Sequence, residues 1–207
     1  MTEASLPRLE RALREHFVPS LRVDGFSGSG RSFRRVRDGW VHVVNVQGSS
    51  YGGLFAVNLG LQPLSIFDVL GEPPDPKKIT EPLCEFRRRL SSAGADQWWT
   101  YVSTQESMNA AAREACAVYE TTGRDLFRHI CGARSPFDQV TPDALSSGTF
   151  DFYGFGSTQA RMALVLARLR RAEGRIREAA RFTEIGLARL GSAGIFRREL
   201  TDLARLR

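Results

Sequence analysis

The chain has 207 residues, of which 42% are hydrophobic and 25% charged, and its formal net charge is +6. This composition excludes a wholly disordered chain, and the length suffices for one large domain or two small ones. Charged residues interrupt positions 1–21, and no stretch approaches the roughly 20 apolar residues of a membrane span, so we expect a cytoplasmic protein without a signal peptide or membrane contact.

An amphipathic helix is the first predicted element. Apolar side chains recur at helical spacing at Leu6, Leu9, Leu13 and Phe17. Ser5 is placed as N-cap and Pro7 lies in the predicted first turn. The helix is expected to end near Pro19, and a glycine-rich segment at residues 25–31 then interrupts the chain.

A β-meander follows this helix. Alternating side chains predict strands at residues 31–37, 40–47 and 54–61. Asp38-Gly39 is a two-residue turn signal between the first two, and residues 48–53 make the second turn.

The alternation also assigns the two faces of the meander, because a shift of one residue would reverse every side chain. The predicted core face carries Trp40, His42, Val44, Val46, Phe55, Val57, Leu59 and Leu61. The opposite face carries Val43, Asn45, Gln47, Leu54, Ala56 and Asn58. We predict that this second face is solvated, with a shallow binding face as the alternative.

The middle of the chain mixes loops, helices and aromatic residues. Prolines at residues 62–80 predict a long surface excursion. The elements predicted after it are a helix at 81–90, a strand at 97–102, a helix at 106–119 capped by Ser103-Thr104, and a helix at 125–131 separated from it by Gly123.

The carboxyl-terminal part is basic and helical. Residues 157–207 hold 12 arginines and five acidic residues. Helices are predicted at 157–172 and 176–190, followed by a third that contains Phe196, Leu200 and Leu203. The predicted domains are therefore an α+β domain at 1–135, a linker at 136–156 with docking aromatic residues, and a basic helical tail at 157–207.

The predicted fold class follows from this order of elements. We expect an α+β protein in which an antiparallel β-meander packs with helices, followed by a C-terminal helical hairpin or three-helix unit.

Few residues suggest reactive chemistry. Cys84, Cys116 and Cys131 are an odd number at wide spacing, which favours reduced core thiols. The three histidines have no partner at a metal-ligand spacing, so no metal or cofactor is expected, and His42 is predicted to be hydrogen-bonded inside the sheet. Residues 25–31 follow a helix and open a strand, which favours a turn over a phosphate-binding loop.

Several short motifs resemble, in their order, a bacterial family of domains of unknown function numbered 4304. The resemblance covers about residues 1–130, and its motifs are Asp24-Gly25-Phe26, GRSFRR at 30–35, VVNVQGS at 43–49, FAVNLG at 55–60 and Trp98-Trp99. It implies a small α+β fold with a meander sheet. It implies no known activity, substrate or cofactor.

A second resemblance covers about 30 residues of the tail. The segment GRIREAARF at 174–182, with Leu187 beyond it, is similar to the turn and second helix of a tetratricopeptide repeat. It implies a helical hairpin. One such unit cannot form a repeat-type peptide groove, and Gly186 stands where a small helix former is expected.

Our first functional hypothesis is a non-enzymatic cytoplasmic interaction protein that binds a protein partner, with an immunity or defence accessory as one possible role. The candidate interaction surface consists of Arg34, Arg35, Arg37, Asn45, Gln47, Asn58, Arg177 and Arg181. The basic first strand supplies Arg34, Arg35 and Arg37, the reverse face of the meander supplies the three amides, and the arginine-rich tail supplies the other two residues.

Two alternatives stay open. The first is a nucleic-acid-binding protein that uses Arg34, Arg35, Arg37 and the tail arginines, since arginines interleaved with an aromatic residue can hold phosphates and stack bases. The second is an enzyme whose catalytic residues come from distant segments of the chain. No single catalytic residue is predicted.

Overall fold

The computed structural model describes residues 8–94, 96–131, 135–191 and 194–205, with the backbone alone at residue 195. Ser5 and Pro7, the predicted cap and first turn, lie outside these residues. The described part forms an antiparallel sheet with helices before and after it, which confirms the α+β class and the C-terminal helices. None of the helices in the described ranges combines the length and hydropathy needed to cross a bilayer.

Two short helices replace the single helix predicted at the start. Helix α1 spans Leu9–His16 and α2 spans Val18–Val23. Pro19 lies in the first turn of α2, where its missing N–H would have no intrahelical partner anyway. The prediction that the helix ends near Pro19 was therefore wrong, although Leu13 and Phe17 are buried as expected.

The strands form one sheet. They are β1 (Ser27–Ser29), β2 (Ser32–Arg37), β3 (Trp40–Gly48), β4 (Leu54–Pro63), β5 (Phe86–Arg89) and β6 (Trp99–Thr100). The spatial order is β1-β2-β3-β4-β5, and β6 also pairs with β4. The predicted meander is β2-β3-β4. Strand β1 lies within the glycine-rich segment that was predicted to be a turn.

The register of β3 and β4 confirms the predicted core face. Val44 lies opposite Leu59, and Val46 lies opposite Val57. These four residues are at most 2% exposed and belong to the main hydrophobic core. Trp40 packs against the same core.

The opposite face is only partly solvated, so this prediction was wrong for several of its residues. Val43 and Val41 are fully buried in a second apolar cluster with Ile79 and Cys84. Residues after β4 return across this face and cover it. Asn58 is also buried.

Gln62 fixes the beginning of the excursion at residues 62–80. Its fully buried side chain donates from Nε2 to the carbonyl oxygens of Pro63 and Ile66, and its Oε1 accepts from the backbone N–H of Glu85. This one amide side chain therefore joins both ends of the excursion to the end of β4.

The predicted helix at 81–90 was wrong. Residues Glu81–Leu83 form one 3₁₀ turn, and Phe86–Arg89 form β5, which pairs with residues 58–61 of β4. Phe86 is buried in the core, whereas Arg87 is exposed. This burial follows the alternation of a strand.

Helix α3 (Gln105–Val118) continues through a turn of π-helix at Tyr119–Gly123 into α4 (Arg124–Ile130). Thr104 caps α3 by accepting a hydrogen bond from the N–H of Ser107, as the sequence predicts. Gly123 does not separate two helices, contrary to prediction. A side chain there would place its Cβ 2.8 Å from Cδ2 of Tyr119.

The remaining helices are α5 (Pro136–Gln139), α6 (Pro142–Ser147), α7 (Gln159–Ala172), α8 (Ile176–Ala188) and α9 (Arg197–Arg205). Phe137, Phe152 and Phe155, from the predicted linker, are buried in the main core. Side chains of α7 join the same core. The division into domains at residues 135 and 157 stays a prediction.

Gly186 in α8 lies directly beneath Leu200 of α9. A Cβ at this glycine would lie 2.8 Å from Cδ2 of Leu200. The glycine that departs from the tetratricopeptide pattern therefore lets α9 pack closely on α8.

Candidate functional site

The three arginines of β2 do not share one face. Arg34 lies opposite Val43, on the reverse face of the sheet, whereas Arg35 lies opposite His42 on the core face. Arg34 donates to the carbonyl oxygens of Lys78 and Ile79. The strand therefore does not present the predicted arginines as one continuous basic surface.

Arg35 is partly buried, and its guanidinium is hydrogen-bonded within the molecule. Its Nε donates to Nδ1 of His42 at 3.0 Å and its Nη1 donates to the carbonyl oxygen of Asp24 at 2.7 Å. The guanidinium also lies over the ring of Phe26, 4.6 Å from its centroid. Burial lowers the pKa of Arg35. Arg37, in contrast, is exposed beside Asp38.

The three predicted amide residues do lie on one face. Asn45 pairs directly with Asn58, and Asn58 Nδ2 donates to Gln47 Oε1 at 2.9 Å. Asn45 Nδ2 donates to the carbonyl oxygen of Arg31. These amides satisfy one another and the backbone.

Arg89 of β5 completes this amide cluster. It donates to Asn58 Oδ1 and Gln47 Oε1, both at 3.3 Å, and pairs with Asp96 at 3.0 Å. Its guanidinium lies over the ring of Trp98 at 4.6 Å. The sequence did not place Arg89 here, because residues 81–90 were predicted to be helical.

Many tail arginines are also engaged within the molecule. Arg181 pairs with Asp143 at 2.5 Å, and Arg175 pairs with Asp138 at 2.6 Å. Other described arginines of the tail have side chains with no hydrogen bond or ion pair to any described residue, namely Arg171, Arg177, Arg189, Arg197 and Arg198. The basic composition of the tail thus corresponds to fewer available cations than its sequence suggests.

Potentially reactive groups are buried and hold their neutral forms. His42 Nε2 lies 3.0 Å from Cys131 Sγ, which confirms the predicted hydrogen-bonded core histidine. Burial, and after it the positive charges of Arg35 and Arg37, lower the pKa of His42 to about 3. Burial raises the pKa of Cys131 to about 12 and raises the pKa of Cys84 and Cys116. Among the described residues, no group of three His, Cys, Asp or Glu side chains is placed to hold a metal ion.

A groove runs between the excursion and the C-terminal helices, with a volume of about 420 Å³. Leu64, Phe67 and Pro73 lie in one wall. Arg171 of α7 and Leu203 of α9 lie in the other. We call this feature the groove between residues 64–74 and α7/α9.

The wall formed by the excursion exposes large apolar side chains. Phe67 is 53% exposed and Leu64 is 37% exposed, and Leu70, three residues further on, is 70% exposed. Leu64 and Phe67 line the groove, whereas Leu70 does not, and exposed large apolar side chains that line a groove are typical of sites that contact another molecule.

Hydrogen bonds hold this wall in place. Gln62 Nε2 donates to the carbonyl oxygens of Ile66 and, at 3.3 Å, of Phe67. The buried Asp68 accepts from the backbone N–H groups of Leu70 and Glu72 through Oδ1. The exposure of Phe67 and Leu70 is therefore a property of an anchored loop.

A buried ion network supports the opposite wall. The fully buried Glu85 side chain accepts from Arg161 and, at 2.7 Å, from Arg168. Arg168 also donates to both carboxylate oxygens of Glu199 in α9, at 2.5 and 2.6 Å. Burial raises the pKa of Glu85, and the two guanidinium groups oppose this shift.

The two arginines and two glutamates of this ion network have no net charge. Arg168 and Glu199 therefore contribute no net charge to the groove that they line. Arg171, next to them, has no hydrogen bond or ion pair in the part of the chain that the structure describes. Among the described residues that line the groove, Arg171 therefore carries a positive charge that no carboxylate neutralises.

Sequence patterns did not identify this groove. The excursion was predicted from its prolines and from the few apolar residues after Leu70, and nothing in its composition indicates which helix it faces. The exposed apolar residues Leu64, Phe67 and Leu70 were the available signal, but single exposed apolar side chains are common on protein surfaces.

Comparison with known proteins identifies the family to which residues 17–129 are similar. A family model described as a domain of unknown function, DUF4304, matches residues 17–129. Neither a curated protein nor a solved structure matches the chain. The matched residues run from the end of α1 to α4, so the resemblance of the tail to a tetratricopeptide repeat stays a prediction. Because the match covers more than half of the 207 residues, the chain belongs to the DUF4304 family of domains of unknown function.

Proposed function

We propose that this protein is a non-enzymatic cytoplasmic interaction protein that binds an apolar segment of a protein partner in the groove between residues 64–74 and α7/α9. The observation that carries the proposal is the exposure of Phe67, at 53%, on a loop that is anchored by hydrogen bonds. A fixed, exposed apolar wall binds a partner with little loss of conformational entropy.

The state of the reactive groups supports binding rather than catalysis. At neutral pH the buried thiols are protonated and His42 is uncharged, because burial shifts the pKa of each group toward its neutral form. A nucleophilic cysteine would need a lowered thiol pKa, and a histidine that acts as general base would need a pKa near the operating pH instead of one near 3. All three cysteines are free, which agrees with a reducing compartment.

The engagement of the β2 arginines favours a protein partner over nucleic acid. Arg34 and Arg35 donate to carbonyl groups and to His42 inside the molecule. Guanidinium groups that are already hydrogen-bonded would have to break these contacts before they could bind phosphates. The exposed apolar wall, in contrast, is free to make contacts.

Site-specific photocrosslinking tests this proposal. A photoreactive amino acid at Leu64 is expected to give a covalent adduct with one partner protein in cells, and the same group at Tyr51 serves as control. Tyr51 is 97% exposed, but it lies in the β3–β4 turn and is not part of the groove. The partner is then identified and purified for binding measurements.

Phe67→Ser is expected to weaken binding of that purified partner by about tenfold or more, because a large apolar contact is lost. Tyr51→Ser should leave the dissociation constant unchanged. Equal adducts at both positions, or a Phe67→Ser variant with wild-type affinity, would contradict a partner site in the groove.

A further inference from the structure

Resting on the proposed function, we infer that the groove selects a partner segment in which a carboxylate lies close to a large apolar side chain. Arg171 is assigned as the residue that pairs with the carboxylate. Phe67 and Leu203, on the two walls, are assigned to the apolar side chain.

Arg171 differs from the neighbouring arginines of α7 in having no hydrogen-bond or ion-pair partner in the described part of the chain. Arg170 is fully buried and hydrogen-bonded, and Arg168 is held by Glu85 and Glu199. Arg171 lines the groove, is only partly buried, and has no partner among the described residues. An arginine partly shielded from water interacts more strongly with an incoming anion than a fully exposed one.

The remaining charges leave this positive charge uncompensated. Glu199 is the acidic residue among those that line the groove, and both of its carboxylate oxygens are bound by Arg168. An incoming carboxylate therefore meets the guanidinium of Arg171 without a competing free acid in the wall. A planar guanidinium can bind a carboxylate through two parallel hydrogen bonds.

The apolar wall defines the rest of the ligand. Leu64, Phe67, Pro73 and Leu203 offer apolar contact surface beside Arg171. A free carboxylate would leave this surface in water, whereas a peptide with an adjacent apolar side chain covers it. The chemistry that fits both parts is an acidic and apolar peptide segment.

Selection from a random peptide library tests this inference. The full chain is expected to enrich peptides that carry Asp or Glu within a few positions of Leu, Ile, Met or Phe. Arg171→Glu should weaken binding of a synthetic enriched peptide by about fivefold or more, as expected for loss and reversal of one partly exposed charge pair.

Arg177→Glu is the matched control. Arg177 is an exposed tail arginine that also lacks a partner among the described residues, but it is not among those that line the groove. It should bind the same peptide with wild-type affinity. Selection repeated with Arg171→Glu should favour Lys or Arg in place of the acidic residue, and a thermal melt checks that the variant is folded.

The outcomes separate this inference from the proposed function. Neutral enriched peptides whose binding is sensitive to Phe67→Ser but not to Arg171→Glu would overturn the carboxylate preference and leave the groove as a docking site. Failure to enrich any peptide would also overturn the inference. Displacement of the peptide by a single-stranded oligonucleotide, with loss of oligonucleotide binding in Arg171→Glu, would indicate a phosphate ligand and overturn both.

Discussion

The buried guanidinium of Arg170 donates from Nη2 to the carbonyl oxygen of Phe137 at 2.8 Å. The same nitrogen lies within hydrogen-bonding distance of the carbonyl oxygens of Asp138 and Val140. Arg170 also pairs with Glu178 at 3.2 Å. One fully buried side chain of α7 therefore holds α5 and the residue after it, and it links them to α8.

Replacing Arg170 is expected to destabilise the whole protein. Arg170→Met should lower the free energy of unfolding by about 3 kcal/mol, because three carbonyl oxygens lose a buried charged donor, while Glu178 keeps only Arg175 as its arginine partner. Arg171→Met, one residue along the same helix, should change it by less than about 0.5 kcal/mol. Urea unfolding followed by tryptophan fluorescence measures both, and similar losses would contradict the role assigned to Arg170.

Much of the sheet could be predicted because residues close together in the sequence determine its strands and their register. Val44, Val46, Val57 and Leu59 alternate with other residues along their own strands, and a short turn joins the two strands. The alternation of side chains and the length of the turn together set the register that is observed. The helix cap at Thr104 could also be predicted, because a cap depends on the residues immediately after it.

The errors arose where distant segments decide the structure. Leu83, Phe86 and Leu90 have a spacing that fits a helix, yet pairing with β4 makes Phe86–Arg89 a strand. Val43 was predicted to face solvent because Ile79, which covers it, comes from a loop with no periodic pattern. Local sequence cannot specify such contacts.

The same limit applies to the candidate site. Arg34, Arg35 and Arg37 were predicted to share a surface from their closeness in sequence, but successive residues of a strand point to opposite faces, which separates Arg34 from Arg35 and Arg37. The groove depends on residues 64–74 meeting α7 and α9, which lie about 100 and about 130 positions away in the numbering. Its charge depends on Arg168 being neutralised by Glu85, a pair that no local pattern indicates.

His42 predicts a pH dependence of stability. Its pKa in the folded state is lowered from 6.5 to about 3, so below pH 6.5 the unfolded chain binds a proton that the folded chain excludes. The stability from this group is therefore present above pH 6.5 and falls as the pH drops toward 3. The loss at pH 5 relative to pH 8 is expected to be about 2 kcal/mol.

His42→Gln should remove this contribution, while its amide oxygen can still accept from Arg35. Between pH 8 and pH 5 the variant is expected to lose about 2 kcal/mol less than wild type in urea unfolding. His129→Gln changes an exposed histidine and should retain the wild-type dependence. Parallel curves for wild type and His42→Gln would contradict the lowered pKa.

Arg35 and Arg37 lie in one strand, and they allow a partly buried arginine with internal hydrogen bonds to be compared with an exposed one. Arg35→Gln should lower the free energy of unfolding by about 2 kcal/mol, because His42 and the carbonyl of Asp24 lose a charged donor. Arg37→Gln, at an exposed position beside Asp38, should cost less than about 0.5 kcal/mol. If the two substitutions cost the same in urea unfolding, the internal role of Arg35 is wrong.

Gly60 in β4 is expected to tolerate no side chain. Its Cβ would lie 2.8 Å from Sγ of Cys84 and 3.3 Å from Cγ of Glu81, in a buried region where neither can move freely. Gly60→Ala should therefore lower the free energy of unfolding by about 1–3 kcal/mol. Gly48→Ala in β3 is the matched control, because its Cβ would meet only the guanidinium of Arg31, which can move away.

Cys84→Ala identifies the contact responsible. Removing Sγ makes room for the new methyl group, so the Gly60→Ala/Cys84→Ala double variant should be less destabilised than the sum of the single variants by about 1 kcal/mol. A double-mutant cycle from urea unfolding measures this coupling. Additive losses would mean that the alanine at position 60 disturbs something other than Cys84, and that the close approach of the 3₁₀ turn to β4 is not what requires glycine.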